Sequence, residues 1–168
     1  MTRAVCLFVP VLALAISVMA QDSSQPAAPE GDTVCTFADG QQISVRYPEV
    51  AVSKDGLARG KAWSPSEQGI YLFSQTDLQF GGKPVPPGAY SLYFIPGADN
   101  WSVAINRGVQ KGQQYDSSKD VARFDALIEK LPDAGGHLSL YFGHIAPKTC
   151  NLRIDYGKQR ATAEFTQK

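Results

Sequence analysis

Short apolar/polar alternation recurs along most of this chain, and the repeat has a period of two. Gln42 to Tyr47 places Ile43, Val45 and Tyr47 on one face and Gln42, Ser44 and Arg46 on the other. Val34 to Phe37 precedes it, and the intervening Ala38-Asp39-Gly40-Gln41 is hairpin chemistry, because Asp-Gly reaches positive φ at low cost. Tyr71 to Phe73, Thr76 to Phe80, Tyr90 to Ile95 and His137 to Gly143 read as further strands. Trp101 to Asn106 alternates, with Trp101, Val103 and Ile105 on the apolar side and Ser102, Ala104 and Asn106 on the other. Asn151 to Tyr156 and Ala161 to Thr166 flank a Gly157-Lys158 turn, and Gly81-Gly82 and Pro86-Pro87-Gly88 are turns as well. Many short strands divided by turn residues predict an all-β chain, an antiparallel β-sandwich of about eight to nine strands.

One segment breaks the period. Ser117 to Leu131 carries Val121, Phe124, Leu127, Ile128 and Leu131 at helical spacing. Ser117 opens it, Asp120 follows three residues on, and Pro132 closes it. Local pattern therefore predicts one short helix near 118–131.

The N-terminus is organised differently. Arg3 is followed by an apolar run from Ala4 to Val18, and Val18-Met19-Ala20 supplies compact residues for cleavage. Residues 1–20 read as a secretory signal peptide, too short for a membrane span. Residues 21–32, QDSSQPAAPEGD, lack aromatics and read as a flexible linker, leaving 33–168 as one domain. Loss of residues 1–20 leaves 148 of the 168 residues and 15 Lys and Arg against 16 Asp and Glu. A net charge near −1 without basic clusters argues against nucleic acid as a partner. An exported chain of this kind is periplasmic or extracellular, with no membrane span in the mature part.

Export changes the meaning of the cysteines. Cys6 falls in the signal peptide, so Cys35 and Cys150 remain, each sharing parity with apolar neighbours. They are expected to form a disulfide tying the first strand to one near the C-terminus.

Arg59-Gly60 with Trp63, the run FGGKPVPPGAYSLYFIPG at Phe80 to Gly97, Trp101 to Asn106, Tyr115-Asp116, Lys119-Asp120-Val121 with Arg123, and Glu129-Lys130-Leu131-Pro132 together resemble the exported bacterial family of domain of unknown function 2911. The resemblance covers nearly the whole mature domain. It implies a β-sandwich, and it implies an extended segment rather than a helix over 121–131. It implies no activity. After Trp63 the chain departs from the family pattern: Ser64-Pro65-Ser66-Glu67-Gln68-Gly69 stands where Arg, Gly-Ala-Asn and Thr are usual.

Catalytic signatures are sparse. There is no Gly-x-Ser-x-Gly elbow and no phosphate-cradling glycine loop. His137 and His144 lie on opposite faces of an extended segment and form no metal pair within it. No metal and no cofactor are expected. Tyr93 and Tyr141 face away from the apolar stripe and are candidates for an exposed aromatic platform. The leading expectation is a non-enzymatic binding module of the cell envelope for a glycan or another envelope component. Its site is placed at Arg59, Trp63, Glu67, Tyr71 and Asn106. One alternative is a hydrolase using His144 with a carboxylate, Asp155 or Glu67. Another is a structural component of an envelope assembly.

Overall fold

The structure is a computed structural model that describes residues 29–65 and 67–168. The expected signal peptide, Cys6 and residues 21–28 of the expected linker lie outside the described residues. The chain is all-β and antiparallel. Its strands are β1 (Glu30–Thr36), β2 (Gln42–Pro48), β3 (Tyr71–Ser74), β4 (Leu78–Phe80), β5 (Lys83–Val85), β6 (Gly88–Pro96), β7 (Trp101–Asn106), β8 (Asp120–Lys130), β9 (Ser139–Ala146), β10 (Thr149–Tyr156) and β11 (Gln159–Gln167). β1 starts at Glu30, so the last three residues assigned to the linker are strand.

These strands form one continuous sheet in the order β1-β2-β3-β6-β7-β8-β11-β10-β9, with β4 on β11 and β5 on β4. The sheet curls until β9 comes back beside β1, so the expected sandwich is realised as a nearly closed barrel. Two bonds mark the seam: Phe142 N–H donates to Thr33 Oγ1 at 2.9 Å, and Ala38 N–H donates to Pro147 O at 2.9 Å. The Cys35–Cys150 disulfide crosses between β1 and β10, as the shared parity of both cysteines with core residues anticipates.

The alternation seen in the sequence sorts residues to the two sides of this sheet. Ile43 and Val45, Leu92 and Phe94, Val103 and Ile105, and Ala161, Ala163 and Phe165 are fully buried inside. Phe80 anchors one part of the core, with its ring 4.5 Å from Phe165 and 4.1 Å from Phe124. The β4–β5 turn places Gly81 and Gly82 at φ 56° and 74°, which two-residue hairpins of primed type demand. A side chain at Gly81 would also run into Phe124.

Residues 120–130 are strand, as the family resemblance implies and against the local pattern; only Ser117–Lys119 makes a single 3-10 turn. The inward positions of β8 are Ala122, Phe124, Ala126 and Ile128, whereas Leu127 is 80% exposed. Small alanines carry the period of two here, and the larger Val121 and Leu127 mimic a helical stripe. β8 is held from both sides, pairing with β7 and with β11, and this tertiary pairing overrides local propensity.

Candidate functional site

The outer face of the β3–β6–β7 region is not open to water. Strand register lines up Tyr71, Ser91, Asn106 and Asp120 in one row, from β3 across β6 and β7 to β8. A shift between Ile105 and Asn106 sets Asp120 opposite Asn106, completing the row. Segment 107–119 folds back over this row. Asn106 is completely buried beneath it. Its Nδ2 donates to Asp116 O at 2.8 Å and to Asp120 Oδ1 at 2.9 Å, and its Oδ1 accepts from Gly108 N–H at 2.9 Å. Ser91 Oγ donates to Gly108 O from the strand below. A polar residue on the outward side of a strand has thus become the fastener for a loop.

A second loop rises from the neighbouring edge. Gly60 N–H donates to Pro96 O, Trp63 pairs with Phe94 in both directions, and Leu92 N–H donates to Ile70 O. Residues 60–63 and 70 therefore run along β6, while 64, 65 and 67–69 leave the sheet. The two loops meet where Gly112 N–H donates to Glu67 O at 2.8 Å. Between them lies a cleft of about 440 Å³ whose walls include Ser64, Glu67, Tyr71, Tyr93, Gln113 and Tyr115.

Its chemistry is aromatic and hydrogen-bonding. Tyr93 donates its hydroxyl to Gln113 O at 3.2 Å, and its ring lies 4.8 Å from that of Tyr115. Burial pushes the phenols of Tyr71 and Tyr93 above their ordinary range, aided at Tyr71 by the charge of Glu30. Both are neutral donors over the physiological range. Tyr115 donates to Asp120 Oδ2 at 2.7 Å, and Arg123 bonds both this carboxylate, at 2.8 Å, and the Tyr115 hydroxyl. Burial raises the Asp120 carboxyl, and the Asn106 amide pulls against that shift. The cluster fixes the ring of Tyr115 at the cleft wall. Ser64, Gln110 and Gln114 add further hydroxyl and amide groups, and Glu67 is the single carboxylate.

Of the five binding residues expected from sequence, Glu67 and Tyr71 line this cleft. Trp63 does not. Its paired backbone sends the side chain inward, where it packs on Phe94 at 6.2 Å and edge-on to Tyr156 at 5.2 Å. The same parity sends Ala62 and Ser64 into the cleft. Arg59 is exposed in a turn before this region, and Asn106 acts beneath the loop rather than on its surface. Tyr93 and Tyr141 form no common platform: Tyr93 is buried under segment 107–119, while Tyr141 packs against Arg153 and Arg160 on β10 and β11.

His144 and Asp155 are not brought together either. On neighbouring strands, His144 pairs with Cys150 and Asp155 with Ser139, five positions apart, or about 16 Å. Asp155 instead holds Arg160 through two bonds of 2.7 Å, and this pairing raises the guanidinium further above its ordinary range. Glu67 belongs to the cleft, which contains no histidine. Among the described residues no cluster of His, Cys, Asp and Glu is arranged to hold a metal ion, and no helix is long and apolar enough to cross a membrane.

The residues that sequence reasoning missed are Ser91, Tyr93 as a cleft wall, Gln110, Gln113 and Tyr115. Segment 107–119 has no period, so nothing local shows that it returns over the sheet. The one usable signal is Asn106, an Asn at an outward strand position two residues before a Gly.

No curated protein and no solved structure matches the chain significantly. A family model does, over residues 30–165, and its description is protein of unknown function (DUF2911). The chain belongs to that family.

Proposed function

We propose that this DUF2911 member is an exported binding module whose cleft takes a neutral, polyhydroxylated stretch of a short glycan of the cell envelope. The observation that carries the reading is the make-up of the cleft wall. Three tyrosines, three glutamines, two serines and one carboxylate surround a groove without lysine or arginine. Rings provide apolar faces for C–H surfaces, and amides, hydroxyls and a carboxylate pair with sugar hydroxyls in both directions. Fixed ring faces favour binding, because the hydroxyls of Tyr93 and Tyr115 are already bonded to the protein. The disulfide and the apolar N-terminal run support export.

The test is a screen of the mature protein against neutral oligosaccharides of envelope polysaccharides, alongside Tyr71→Ala. The expected result is saturable binding that Tyr71→Ala weakens by about thirtyfold, the scale of an aromatic hot spot of about 2 kcal/mol. A ligand that binds both proteins equally would place the site elsewhere.

A further inference from the structure

Segment 107–119 borders a second cavity, of about 420 Å³, lined by Arg107, Gly108, Val109, Gln110, Gln113 and Lys119. Gln110 and Gln113 line both cavities, so the two are neighbours across a single wall. The second cavity differs in charge. Arg107 N–H donates to Lys119 O at 3.0 Å, which sets two cationic residues side by side at its rim. Among the described residues neither cation takes part in an ion pair. The one carboxylate in the segment, Asp116, bonds the N–H and hydroxyl of Ser118, at 3.0 and 2.7 Å, and feels the charge of Lys119 without pairing with it. Asp120 is engaged by Arg123.

A third donor is also uncommitted. Gln113 Nε2 is buried and has no hydrogen-bond partner among the described residues. Its carboxamide lies so close to Gly108 that any side chain there would collide with it. Gly108 is itself pinned by Asn106 and Ser91. A buried donor without an acceptor is costly, and two cations beside it define which acceptor fits.

We infer that the Arg107–Lys119–Gln113 cavity is a subsite for an anionic oxygen group, a carboxylate or phosphate carried by the same glycan that occupies the tyrosine cleft. The inference rests on the glycan reading for the identity of the carrier, and it narrows the ligand to an acidic sugar.

The probes are acetate and inorganic phosphate, titrated separately into the 15N-labelled mature protein at constant ionic strength set with sodium chloride. The expected result is a saturable shift of the Gln113 side-chain amide and the Gly108 amide. In Arg107→Ala/Lys119→Ala the affinity should fall by about tenfold or more, the loss expected for charge-assisted bonds. Saturation by phosphate alone assigns a phosphorylated sugar, and saturation by acetate alone assigns a uronic-type acid. Unsaturated drift with both anions, or unchanged affinity in the double variant, overturns the subsite. Neutral oligosaccharides separate the two readings. If they bind and the anions do not, only the subsite falls. If the anions bind and no oligosaccharide does, the sugar reading falls and the anion site stands.

Discussion

Tyr71 and Trp63 are eight residues apart and share parity, and it is the β6 partner of each that decides which faces the cleft. Tyr71 opens onto the row with Ser91, and Trp63 closes the core against Phe94 and Tyr156. Their alanine variants should therefore separate. Trp63→Ala is expected to lower stability by about 2–4 kcal/mol in urea unfolding, the range for removing a packed large side chain. Tyr71→Ala should lower affinity with a smaller effect on the midpoint. In the sequence both aromatics are equally visible, and what sets them apart is the backbone pairing of Trp63 with Phe94, which no local pattern carries.

Acid sensitivity is also a residue-scale property. Asp39 accepts from Gln41 N–H at 3.0 Å and from Gln167 Nε2 at 2.6 Å, and these bonds hold its carboxyl below the ordinary 3.8. Asp116 is lowered in the same way by Ser118. A group whose folded value is depressed adds stability above its unfolded value and loses it as pH falls through the folded one. Asp120, raised by burial, acts in the opposite sense. Urea unfolding followed from about pH 6 down to about pH 2.5 should show stability falling below about pH 4, and Asp39→Asn should make that acid limb shallower.

Among the elements, β8 and segment 107–119 carry the lesson about legibility. The alternating strands β2, β7, β10 and β11 can be read from the chain because large and polar residues take turns. β8 cannot, since its inward face uses Ala122 and Ala126 while Leu127 points out. Its strand state follows from pairing on both sides, and in the sequence only the family resemblance implies it. Segment 107–119 is organised by Asn106, whose three bonds span residues 108, 116 and 120. Asn106→Ala strands the buried Gly108 N–H and is expected to cost about 1–3 kcal/mol. Faster hydrogen exchange at Gly108, with the β10–β11 amides unchanged, would report release of the loop. Unaltered exchange at Gly108 would mean the loop is held by other contacts.

At the scale of the molecule, the barrel seam is where the sheet is weakest in backbone bonds. Thr33, Pro147 and the disulfide supply what a β1–β9 ladder would otherwise provide. The disulfide spans 115 residues, a separation for which the chain-entropy relation gives about 4–5 kcal/mol. Cys35→Ala/Cys150→Ala should lose a stabilisation of that order, read from urea midpoints with and without reductant. The cysteine pairing and the all-β class could be read from the sequence. The curl that joins β8 to β11 could not, because it depends on register between strands distant in the chain.

The barrel presents the tyrosine cleft on one outer face and the Tyr141–Arg153–Arg160 surface on β9–β11. A 15N chemical-shift map of the mature protein with a bound neutral oligosaccharide distinguishes them most directly. Perturbations are expected at Gly69, Gly112, Gln113 and Gln114, with β9–β11 silent. Shifts confined to the amides around Tyr141 and Arg153 would contradict the assignment of the cleft as the binding site.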